Sequence, residues 1–156
     1  MTRWWLDTRD KPAVLWAFLE HFIQDSTLIF RGSLADLDLV GFPGARVVLR
    51  PPGANPRRWP DVVELPVSAS NIQALKKGLS RPNVFSVPGV FEEVELVHGG
   101  RCVFLAGDGF HRECVSAMPP TSESFLQSLV EKGAIRTYSR KPPVGGWRNM
   151  ARTRSL

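Results

Sequence analysis

The chain has 156 residues and a mass of 17.4 kDa, room for one domain with its own hydrophobic core and little more. A hydrophobic fraction of 43% excludes wholesale disorder, and thirteen Pro, thirteen Gly and five Trp against one Tyr exclude a coiled coil or simple helical bundle. The net charge is +5, with a pI near 9.8, so the chain as a whole is basic.

The opening, Met1-Thr2-Arg3-Trp4-Trp5-Leu6-Asp7, lacks the apolar core of a secretion signal. The longest strongly apolar stretch, Ala13 to Leu19, is too short to cross a bilayer. A cytoplasmic chain without a membrane segment is expected.

Asp10-Lys11-Pro12 reads as a helix entry, because Asp accepts orphan N–H groups and Pro needs no donor in the first turn. Val14, Phe18 and Phe22, with Leu15, Leu19 and Ile23 beside them, keep helical spacing, and the helix is expected over 10–24. Thr27 to Arg31 is β-prone, and Gly32-Ser33 breaks it. A single helical turn over Ser33 to Leu39 is expected before the Gly41-Phe42-Pro43-Gly44 break. Ala45 to Arg50 and Asp61 to Leu65 read as strands. Between them Pro51, Pro52, Pro56 and Pro60 each lack a ladder donor, so that segment is a loop.

Ser70-Asn71-Ile72-Gln73 matches a capping box, and Ile72, Leu75 and Leu79 line one face of a helix expected over 70–79 and closed by Ser80-Arg81-Pro82-Asn83. Val90 to Val97 and Arg101 to Ala106 form a hairpin about Gly99-Gly100. Counted from that turn, Leu96 faces Val103, Val94 faces Leu105, and Glu95 faces Phe104. The second strand, apolar on both faces, is expected to be central. A second turn at Gly107-Asp108-Gly109, with Gly109 left-handed, would set Ala106 against Phe110 and Cys102 against Cys114. A third helix is expected over 122–132, with Phe125, Leu126, Leu129 and Val130 inward and Gly133 beyond its end. Ala134 to Tyr138 reads as the last strand.

The expected fold is therefore α+β: a single domain over 1–139 with a mainly antiparallel sheet of five to six strands and three helices (10–24, 70–79 and 122–132). Residues 140–156 form a basic, Pro/Gly-containing C-terminal extension.

The charge is uneven. Gly133 to Leu156 carries Arg136, Arg140, Lys141, Arg148, Arg152 and Arg154 and no acid, which leaves fourteen basic against fifteen acidic residues in the rest. Leu39 to Pro60 is likewise one-sided, with Arg46, Arg50, Arg57 and Arg58.

Two cysteines fit a reducing compartment, where reduced, buried thiols are expected. Asp108, His111, Glu113 and Cys114 form the densest reactive cluster. A His could activate a Cys nucleophile, but three residues apart on a strand the two face opposite ways. No paired zinc-ligand spacing, phosphate-binding glycine loop or serine-nucleophile motif occurs, so no metal and no cofactor is expected. The balance leans away from an enzyme.

Two segments set an aromatic residue beside arginine in a Pro/Gly-rich setting: Arg57-Arg58-Trp59, and Arg140-Lys141 with Trp147-Arg148. Trp and Arg dominate interface hot spots and also stack on bases. These seven residues are the candidate binding residues. The expected role is a non-enzymatic protein that occludes another protein, in type like bacterial toxin-neutralising immunity proteins, which is an analogy of type rather than of sequence. The alternative is a nucleic-acid-associated protein using Arg46, Arg50, Arg57, Arg58 and the basic tail. A Cys/His-dependent enzyme at Cys114 is the third reading.

Overall fold

The computed structural model describes residues 3–39, 41–79, 84–111 and 113–143. The elements are β1 (Trp4–Thr8), α1 (Lys11–His21), β2 (Ser26–Gly32), β3 (Arg46–Val48), β4 (Asp61–Pro66), α2 (Ala69–Gly78), β5 (Glu93–His98), β6 (Arg101–Gly107), β7 (Val115–Ala117), α3 (Glu123–Glu131) and β8 (Ile135–Ser139). The strands form one antiparallel sheet in the order β3-β4-β2-β5-β6-β7-β1-β8. The class is α+β as expected, but the sheet has eight strands rather than five to six.

The two additional strands are β1 and β7. In β1, Trp4, Trp5 and Leu6 are all buried, so no apolar–polar alternation marks it in the sequence. Only three residues of β7 pair. β1 is held by neighbours remote in sequence, β7 and β8, while β7 lies between β1 and the preceding strand β6.

The helices begin where local chemistry places them. Asp10 accepts the Ala13 N–H at 3.1 Å, and Ser122 accepts that of Phe125 at 3.2 Å. Helix α1 stops at His21, with Phe22 as its cap, earlier than the 10–24 expectation. Helix α2 is capped by Ser68, which accepts the Asn71 N–H at 3.1 Å; Ser70 lies inside the helix, so the expected capping box is displaced by two residues. The expected helix-closing segment Ser80 to Asn83 lies outside the described residues. Ser33 to Leu39 forms turns rather than a helical turn.

One core joins the helices to one face of the sheet. Phe18 of α1 packs against Phe104 of β6 and Phe125 of α3, with ring centroids 4.6 and 5.1 Å apart. Ile72 and Leu75 of α2 belong to the same cluster as Leu28, Phe30, Val63, Leu65, Val94 and Leu96 from the sheet. The described residues thus form two layers, and among them the other sheet face carries no helix.

The central hairpin departs from the simple count. Val97 pairs with Cys102, but Leu96 pairs with Phe104, because a β-bulge leaves Val103 as an extra residue. Phe104 therefore turns into the helix-covered core, and Leu105 joins Glu95 on the open face, the reverse of the expected assignment. Strand β6 is nevertheless central, between β5 and β7. The expected pairing of Ala106 with Phe110 is replaced by Ala106 with Val115, across a longer turn in which Gly109 is left-handed as expected, at φ 63°. Cys102 and Cys114 do not face each other, and both are free thiols. No helix among the described residues is long and apolar enough to cross a membrane.

Candidate functional site

The β3–β4 connection, residues 49–60, is an ordered proline-rich loop at one edge of the sheet. Its base is fixed by Asp61, whose buried carboxylate accepts the Arg50 N–H at 2.8 Å and the Leu34 N–H at 2.9 Å. Burial works against the ionised form. The two N–H donors and the Arg50 guanidinium outweigh it and hold the Asp61 carboxyl below its ordinary range. The Arg50 guanidinium donates to the Ser33 hydroxyl at 3.1 Å.

Asn55 organises the tip. Its side-chain oxygen accepts the Arg57 N–H at 3.0 Å, an Asx turn, and its carbonyl accepts the N–H groups of Arg58 and Trp59 at 3.1 and 2.9 Å. The backbone of the tip is thereby pinned while its side chains point away from the fold. Arg57 and Arg58 are exposed, and Trp59 keeps 57% of its surface in water. Neighbouring Val48 and Leu49 are 67% and 55% exposed. Arg46 on β3 reaches Glu64 only at 3.8 Å.

The C-terminal residues behave differently. Arg140 places its guanidinium 4.4 Å from the Trp4 ring centroid, and Trp4 also meets the edge of Tyr138 at 5.4 Å. Arg140 thus closes the fold over β1. The Lys141 N–H donates to Ser139 at 3.0 Å, and its side chain is exposed. Trp147 and Arg148 lie outside the described residues, as do Arg152 and Arg154. Because β3 and β8 are the two edges of the sheet, six strands separate the Arg57-Arg58-Trp59 loop from Arg140 and Lys141. The structure does not bring the two groups into one patch.

The helix-free face holds a feature the sequence did not reveal. A cavity of about 500 Å³ is lined by Glu93, Glu95, Arg101, Cys102, Leu105 and Met118, among others. Arg31 donates to Glu93 at 2.6 Å and to Glu95 at 3.0 Å, balancing the acidic pair. The outward row of Arg31, Glu93 and Glu95 spans two paired strands, so finding it needed the β2–β5 register. Burial, then the Glu95 carboxylate, pushes the Cys102 thiol up to about 12, which leaves essentially no thiolate near neutral pH.

Cys114 is buried too. Desolvation, then Asp108 and Glu113, raise its thiol. His111 is exposed, and its Nδ1 accepts the Glu113 N–H at 3.4 Å rather than meeting the sulfur. Nothing in this arrangement activates Cys114 as a nucleophile. The Asp108 carbonyl accepts the His111 N–H, so the segment closes as a turn. Among the described residues, no group of three or more His, Cys, Asp or Glu side chains is placed to hold a metal ion.

Comparison with known proteins finds no matching family model, no matching curated protein and no matching solved structure.

Proposed function

We propose that this chain is a non-enzymatic protein-binding protein, and that the β3–β4 hairpin is the surface with which it covers its partner. One observation carries the proposal: Trp59 is held 57% exposed on a tip whose backbone is pinned by Asn55. A large aromatic ring kept in water by an ordered backbone is pre-organised for burial elsewhere, and aromatic residues flanked by arginine are typical interface anchors. Exposed Val48 and Leu49 enlarge the apolar area on the same hairpin. By type of action the role is occlusion, as in toxin-neutralising immunity proteins.

A nucleic-acid role is less well supported. Arg50 is engaged with Ser33 and Arg140 with Trp4, and the basic loop and the β8 edge sit six strands apart. A polyanion would find no continuous basic track among the described residues, and exposed Val48 and Leu49 offer nothing to phosphates.

The test is co-purification of the tagged full chain from its native host, followed by mass spectrometry. A stoichiometric protein partner is expected, lost on Trp59→Ala and only modestly weakened by salt. Recovery of nucleic acid alone, or of no protein bound more tightly than about micromolar, overturns the proposal.

A further inference from the structure

The two acid-free basic stretches of the sequence become the two free edges of the sheet. Leu39 to Pro60 contains β3, and Gly133 to Lys141 contains β8. A free edge presents unpaired N–H and C=O groups, a template for another strand. Like charge on both edges opposes pairing between copies of this chain, since any edge-to-edge dimer would set arginines against arginines. The same charge favours an acidic strand.

The two edges are not equivalent. At β8, Arg136 turns back to Asp7 at 3.4 Å and to the Thr8 carbonyl at 3.2 Å, and Arg140 covers Trp4. Its cations serve the fold. At β3, the Arg46 side chain is 83% exposed, Arg57 and Arg58 project from the adjoining loop, and Val48, Leu49 and Trp59 stand beside them. Cationic and apolar groups thus line an edge whose outer backbone groups have no strand beside them among the described residues.

From this charge complementarity we infer that β3 receives an extended, acidic segment of a partner protein as a ninth strand. Main-chain hydrogen bonds to Arg46–Leu49 supply affinity. Glu or Asp side chains meeting Arg46, Arg57 and Arg58, and an apolar side chain meeting Trp59, supply selectivity. The inference rests on the protein-binding role proposed above and adds the binding mode and the partner's chemistry.

The test uses the full chain and two short peptides: one alternating glutamate with valine or threonine, the other with lysine in place of glutamate. A single-stranded oligonucleotide is the third probe. The acidic peptide is expected to bind at least about ten-fold more tightly than the basic one and to slow amide hydrogen exchange at Arg46–Leu49. The double variant Arg57→Glu/Arg58→Glu, whose substitutions lie on exposed loop positions, is expected to reverse the preference. Equal binding of the two peptides, no binding of either, tighter binding of the oligonucleotide, or binding without protection of those amides overturns the inference. If a host protein is nevertheless captured and lost on Trp59→Ala, the protein-binding role stands and only the strand-pairing mode falls.

Discussion

The carboxylate of Asp61 accepts the backbone N–H of Arg50 at 2.8 Å, tying the first residue of β4 to the chain just beyond β3. With the Leu34 N–H on its other oxygen, Asp61 fixes both the entry of the candidate loop and the end of β2. Asp61→Ala leaves two inward N–H groups without an acceptor, and a loss of about 2–4 kcal/mol is expected in urea unfolding. The acid dependence follows from the lowered carboxyl. Its contribution is fully present above the ordinary value of 3.8 and is lost as pH falls from there through the depressed folded value. Asp61→Asn should therefore flatten the acid limb of the stability curve. An unchanged limb would assign the bonds no role.

His21 carries a pH dependence of the same sign, at a higher range. It is stacked on Phe125 at 4.0 Å, and burial, followed by the charge of His98, lowers its pKa. For a base with a depressed folded value, the unfolded chain takes up the proton first as pH falls. The effect is absent above about 6.5 and destabilises progressively as pH drops from 6.5 through the folded value. Melting curves from pH 7.5 to 5 should show a decline that His21→Gln reduces. An identical decline in the variant would place its origin elsewhere.

These details also show how far local signals reach. Asp10 and Ser122 mark helix starts in the sequence because a cap is an arrangement of four consecutive residues. Ser68 and Ser70 both fit that pattern, and only the end of β4 decides between them. Strand β1 carries no period-two signal, because Trp4 and Trp5 are buried on opposite faces. The bulge at Val103 turns Phe104 toward Phe18, a contact across 86 positions of the chain that no local pattern encodes. The Arg57-Arg58-Trp59 loop was legible because prolines exclude pairing at one place. The cavity beside Glu95 was not, because its walls come from separate strands.

Gly32 is required by close approach. A Cβ there would sit 1.9 Å from the Val90 carbonyl oxygen, which is backbone and cannot rotate aside. Gly32 also pairs with Asp61, and Ser33 donates its N–H to Gly89 at 2.9 Å. Gly32→Ala is expected to cost about 3 kcal/mol and to loosen the loop anchored by Asp61. Thermal unfolding together with amide exchange at Arg50 checks both effects. Exchange at Arg50 that stays slow in a destabilised variant would separate the loop from this contact.

Arg140 and Trp59 should separate stability from binding. Arg140 lies over Trp4 at 4.4 Å, so Arg140→Ala removes a cation–π contact of about 0.5–1 kcal/mol. In a chain of this size that lowers the melting temperature by roughly 1–4 °C. Partner affinity should not change, because Arg140 is at the β8 edge and the proposed surface is at β3. Trp59→Ala removes a ring that is 57% exposed, so folding should change by less than about 0.5 kcal/mol. If Trp59 is an interface anchor, its loss should weaken partner binding by about 2 kcal/mol or more, roughly thirty-fold. Calorimetry of both variants in parallel distinguishes the roles. A destabilised Trp59→Ala with intact binding would mark the ring as a fold anchor and remove it from the interface.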